Sequence, residues 1–154
     1  MAELYYFDKK IAPEEYIRNM ILSNDGVRTY VKADEMKQLL DELKLLYPKK
    51  VTRNDMIDIL LKNSYDWKFI VEKFGIGVNV RQYIAAFPFM TNADVKRLEK
   101  FGQLKVVGHQ CYRAFNRDNY VSLYDLYQFL NMSDIDMKKL LADYPKGKRI
   151  VRND

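Results

Sequence analysis

One cysteine, one histidine, one tryptophan, four prolines and six glycines in 154 residues leave little material for several kinds of chemistry. The single Cys111 excludes an internal disulfide and fits a reducing compartment. With His109 it supplies two potential metal ligands, fewer than the three or four that a metal site requires. As nucleophile and base, the same pair would need an anion-stabilising pocket that no neighbouring feature provides. No GxxxxGK[ST], HExxH or nucleophile-elbow motif is present. Gly75-Ile76-Gly77 is too brief to cradle a phosphate and reads as a helix end, and Asp118 and Asp125 read as helix starts. These absences lead to the expectation of a protein that is not an enzyme and holds no cofactor or metal. No apolar run approaches the roughly 20 residues of a membrane helix. The opening MAELYYFDKK lacks the basic-then-apolar order of a signal peptide. A soluble cytoplasmic protein without a membrane partner is therefore expected.

What the chain has is charge, tyrosine and helical periodicity. Its net charge is +5, and 12 tyrosines make most of a 14% aromatic content that can line a core, an interface or a nucleic-acid platform. Between residues 79 and 117, Arg81, Lys96, Arg97, Lys100, Lys105, Arg113 and Arg117 stand against Asp94 and Glu99, so this window carries as much net charge as the whole chain. Lys146, Lys148, Arg149 and Arg152 form a second basic cluster in a tail at 146–154. Clustered positive charge is the footprint that phosphate binding requires, and it equally describes a solvated face without a partner.

Residues 34–47 predict one helix, with Met36, Leu39, Leu40, Leu43 and Leu46 on a single apolar face. A capping pattern then recurs as Thr52 with Asp55, Asn63 with Asp66, Thr91 with Asp94, Ser122 with Asp125 and Ser133 with Asp136. In each, a short polar side chain can accept from the first free backbone N–H groups, and the acid three residues on closes the box. Shifting residues 51–75 by seventy onto 121–145 aligns Val51 with Val121, Asp55 with Asp125, Leu60 with Leu130 and Asp66 with Asp136, which suggests an internal duplication. The fold expected is mainly α, with tandem helix-turn-helix units at roughly 52–74, 80–101 and 122–144 and a small β-hairpin wing after the middle one. Read as domains, this gives an N-terminal helical region at 1–50 for packing or dimerisation, units at 51–78, 79–120 and 121–145, and the basic tail. In the N-terminal region Pro13-Glu14-Glu15 reads as a helix start and Asn24-Asp25-Gly26 as a turn, with a short strand or loop near residues 28–31. The apolar Leu4-Tyr5-Tyr6-Phe7 reads as a segment packed on the chain or on a second copy.

Residues 83–115 carry the strongest functional signal. They read as a helix holding Ala85, a break at Pro88-Phe89-Met90, and a second helix opened by Thr91 with Val95 and Leu98 inward. A stop at Gly102-Gln103-Leu104 follows, then a hairpin with His109 at its tip and Tyr112-Arg113 in its returning strand. This run resembles the excisionase-like and MerR-like winged helix-turn-helix DNA-binding domains, over about forty residues. It departs from them in having Pro88-Phe89 where a Gly turn is usual, no Pro after Leu104, and an acid, Asp94, at the start of the second helix. The resemblance implies a DNA reader, a transcriptional regulator or an accessory factor of a phage or mobile element.

Helical geometry then assigns roles. Thr91, Asn92, Lys96, Arg97 and Lys100 lie along the recognition helix, where Asn and Arg suit base edges and Lys suits phosphate. Lys105, His109, Gln110 and Arg113 lie on the wing, positioned for backbone or minor groove. Arg81 and Gln82 open the supporting helix as phosphate contacts. The partner expected is double-stranded DNA, with a second copy or another protein also open. The rival reading is a helical module that binds or inhibits another protein through exposed Tyr and Met.

Overall fold

The computed structural model describes residues 2–6, 8–22 and 31–147, and only the backbone of Tyr6, Tyr112, Arg113 and Ala114. The elements in chain order are β1 (Leu4–Tyr6), β2 (Lys9–Ile11), α1 (Pro13–Leu22), α2 (Ala33–Glu42), α3 (Arg53–Lys62), α4 (Trp67–Phe74) and β3 (Gly77–Val78). They continue with α5 (Val80–Ala86), α6 (Asn92–Lys100), β4 (Val106–Ala114), β5 (Arg117–Asp125), α7 (Leu126–Leu130) and α8 (Asp134–Asp143). Helix covers 52% and strand 17%, in two small antiparallel sheets, so the fold is mixed α/β and the expectation of a mainly α protein is corrected. The residues that overturn it are those of β1, β2, β4 and β5, where β-branched and aromatic side chains favour a pleated, half-buried backbone. The turn expected at 24–26, most of the segment at 28–31, Phe7, and Lys148, Arg149 and Arg152 of the basic tail lie outside the described residues.

The chain forms two compact units. One comprises residues 12–76 and 111–119. Here α1 packs on α3 and α4, and α2 packs on α3, around Ile17, Ile21, Met36, Leu40, Met56, Ile57, Leu60 and Ile70. Arg53 serves the open carbonyl end of α1: Nη1 donates to Ile21 O at 2.7 Å and to Val31 O at 3.2 Å, and Nη2 to Leu22 O at 2.9 Å. Arg18 pairs with Asp58 at 2.6 Å, donates to Asn54, and lies 5.3 Å from the Trp67 ring centroid. The helix expected at 34–47 ends at Glu42, because Lys44 turns to a φ of 58° and sends the chain outward. Leu46, expected on the apolar face, is consequently 95% exposed.

The other unit comprises residues 1–11, 77–110 and 120–154. The β1–β2 hairpin packs on α5, β3 pairs antiparallel with β5, and the three-stranded sheet runs β3-β5-β4. Four rings form the centre: Tyr83 meets Tyr124 edge-on at 5.6 Å and Phe129 edge-on at 5.0 Å, and Phe87 lies 6.4 Å from Phe129. Gly77 is required where β3 meets β5, since a Cβ there would stand 2.4 Å from the Tyr124 carbonyl oxygen.

Capping followed the local rule in three places and moved in two. Thr52, Thr91 and Ser133 cap α3, α6 and α8 as expected. Asp66, rather than Asn63, caps α4, and Asn63 instead closes α3. Asp125, rather than Ser122, caps α7, because residues 117–125 are paired in β5. The expected duplication therefore fails in its first half: the residues aligned with α3 are divided between β5 and α7. The third helix-turn-helix unit begins as a strand.

Candidate nucleic-acid interface

Asn79 opens α5 by accepting from Gln82 N at 3.2 Å, and Phe87 closes it before the turn at Pro88-Phe89. Thr91 opens α6 with a complete box: its hydroxyl accepts from Asp94 N at 3.2 Å, and Asp94 accepts from Thr91 N at 2.9 Å. Burial works against the Asp94 charge, but the Thr91 N–H and the Arg97 guanidinium outweigh it and hold the carboxyl below its usual range. Val95 and Leu98 are fully buried. Gly102, at a φ of 72°, then turns the chain out of the helix. Gln128 fixes the connection to the sheet, accepting from Lys105 N and donating to Gln103 O, each at 2.9 Å. Ser122 on β5 donates to Glu99 on α6, which ties the helix to the strand.

This framework divides ten of the eleven residues singled out in sequence; the side chain of the eleventh, Arg113, lies outside the described residues. Asn92, Lys96 and Lys100 are exposed and spaced four apart, so they form one stripe along α6. Lys105 and His109 are exposed beyond it, and Arg81 is exposed at the start of α5. Lys96 makes a long contact with Glu99, at 3.9 Å. The other residues are engaged or differently placed. Arg97, expected to face out, has a side chain only 16% exposed; its Nε donates to Tyr144 O at 2.8 Å and its Nη2 to Asp94 at 2.7 Å. Gln82 extends β1 with its side chain, accepting from Tyr5 N at 3.0 Å and donating to Tyr5 O at 2.6 Å. Thr91 is occupied by its cap, and Gln110 is half-buried. Ala85, expected as the small residue of the first helix, is exposed.

The hairpin also differs from its expected form. β4 runs unbroken from Val106 to Ala114, so His109 and Gln110 lie within the first strand and Tyr112-Arg113 near its end. The chain reverses at Phe115-Asn116, where both residues have positive φ, 55° and 61°. Sequence reading placed the tip at His109 because the true turn contains no glycine to mark it; the available signal was Asn116, which tolerates this backbone region. Sequence reading also passed over Phe115, which is 92% exposed.

No helix among the described residues is long and apolar enough to cross a membrane. Comparison with family models, curated proteins and solved structures gives no match.

Proposed function

We propose that this protein is a non-enzymatic DNA-binding protein whose α6 enters a groove of the duplex, with the β4–β5 hairpin as a wing. The observation that carries the reading is the exposed Asn92, Lys96 and Lys100 stripe on a helix whose opposite side is fixed by Val95, Leu98 and Arg97. A rigid helix offering one amide and two ammonium groups matches the requirements of groove entry, where lysines meet phosphates and an amide can pair with adenine. Lys105, just before β4, and His109 within it extend the same chemistry, and Arg81 adds a cation at α5. The resemblance to excisionase-like and MerR-like domains gives the setting: a cytoplasmic regulator of transcription, or an accessory factor of a phage or mobile element.

Fluorescence anisotropy with a mixed-sequence labelled duplex across a salt series tests this reading, using wild type and Lys96→Ala/Lys100→Ala. Wild type should bind and weaken steeply with salt, and the double variant should bind less tightly with a slope reduced by roughly 2. No binding at low salt, or a variant indistinguishable from wild type, overturns the proposal. The second reading, a protein-interaction module, has its support in exposed apolar side chains of one unit, Ile135 at 80% and Tyr120 at 67%. It predicts association that is insensitive to salt and lost on replacing those residues.

A further inference from the structure

The tip of the β4–β5 hairpin joins two observations that conflict with a role in folding. Its connection has only two residues, Phe115 and Asn116, between Ala114 and Arg117. Both take positive φ, as a two-residue turn that matches strand twist demands, and that geometry favours Asn-Gly. Asn116 suits it. Phe115 does not: a bulky side chain is disfavoured in the left-handed region because its Cβ crowds the following carbonyl. Such a residue is normally held there by packing, but Phe115 is 92% exposed and so recovers almost nothing from burial in this chain. The flanking strands hold the backbone in this turn while the ring itself gains nothing inside the molecule, and strained residues of this kind cluster at sites that act on a ligand.

The neighbouring groups define what that partner is. Asn116 contributes an amide at the turn, and Arg117, also exposed, contributes a guanidinium at the start of β5. Asp118 follows on the alternate face of the strand. An apolar ring beside an amide and a guanidinium is the combination by which proteins enter the minor groove: the polar groups bond base edges and phosphates while the ring wedges between base pairs. We propose that Phe115 is such a wedge, partly unstacking one base step of a duplex and kinking it. This rests on the DNA-binding reading and goes beyond it, since a wing that only touches phosphates needs no exposed ring.

The test uses a duplex carrying 2-aminopurine at a central TA step, a flexible step that kinks readily, with donor and acceptor dyes at its ends. Wild type should raise 2-aminopurine emission several-fold and shorten the end-to-end distance. Phe115→Ala and Phe115→Asn should each abolish both signals and lower affinity by no more than about tenfold, with the salt dependence kept. Phe115→Asn supplies the residue the turn prefers, so loss of signal in that variant cannot be ascribed to a broken hairpin. Binding by wild type without unstacking or bending, or unchanged signals in both variants, overturns the wedge alone. No binding by wild type overturns the wedge and the DNA reading together. Capture of a protein through Phe115, with no duplex binding, has the same consequence.

Discussion

Arg97 Nε donates to the carbonyl oxygen of Tyr144 at 2.8 Å, joining α6 to the C-terminal end of α8 across 47 residues of sequence. The same guanidinium reaches Asp94 at 2.7 Å, so a residue that composition would assign to DNA is part of the framework beneath the candidate interface. Arg97→Ala removes two bonds to a positively charged donor and leaves the Tyr144 carbonyl and the Asp94 carboxylate without that partner. Stability should fall by about 2 kcal/mol. Arg97→Lys should recover only part of this, because an ammonium cannot reproduce the fork geometry. Urea unfolding of the three proteins checks both statements, and equal midpoints would exclude a structural role. Lost DNA binding in an Arg97 variant therefore cannot be assigned to a lost DNA contact until its folding is known.

Gly77 faces a harder restriction. A Cβ there would meet Tyr124 O at 2.4 Å and Val107 Cγ2 at 2.9 Å, and the first obstacle is paired backbone that cannot step aside. Gly77→Ala should cost roughly 3 kcal/mol through overpacking at the β3–β5 pair. Gly102→Ala is the informative comparison, since its φ is 72° but no atom lies within 4 Å of the added carbon. Backbone strain alone should cost about 1 kcal/mol there. Thermal melts of the two variants should rank them in that order, and the reverse ranking would mean that the sheet edge opens without penalty.

Legibility in the sequence followed the range of the interactions. Thr91 with Asp94, and Ser133 with Asp136, are satisfied within four residues, so the pattern alone locates those helix starts. Asn63-x-x-Asp66 and Ser122-x-x-Asp125 offer two caps each, and the choice was made by the backbone preceding them: the end of α3 in one case, the β5 ladder in the other. The hairpin turn was hidden because Phe115-Asn116 lacks the glycine that normally marks it. The split among the basic residues was hidden more deeply. Lys96 and Arg97 are adjacent and equally charged, yet one is exposed and the other covered, and the difference is set by Tyr144 far along the chain. The mixed fold was missed because strand runs such as Tyr120-Val121-Ser122-Leu123-Tyr124 also contain a helix-start signature.

The paired tyrosines of the core make stability depend on alkaline pH. Tyr83 and Tyr124 are fully buried, and the Tyr83 hydroxyl has no hydrogen-bond partner among the described residues. Burial, with Asp125 adding its charge, raises Tyr83 well above the ordinary phenol range. Burial, with the Glu99 carboxylate adding, pushes Tyr124 up to about 12. Once the pH passes about 10, phenols of the unfolded chain ionise while these two hold their protons. The unfolded state then binds fewer protons than the folded one, so stability falls as pH rises. For Tyr124 the stabilisation is whole below pH of about 10 and is lost as the pH rises to about 12. Tyr83→Phe removes one of the two phenols. At pH 7 it also deletes an unpaired hydroxyl from the core, which should leave stability unchanged or raise it by up to about 1 kcal/mol. Urea midpoints at neutral and alkaline pH should show wild type declining above pH of about 10 and Tyr83→Phe declining less steeply. Parallel pH profiles for the two proteins would mean that Tyr83 ionises as readily in the core as in the unfolded chain, and that the ring cluster is open to water.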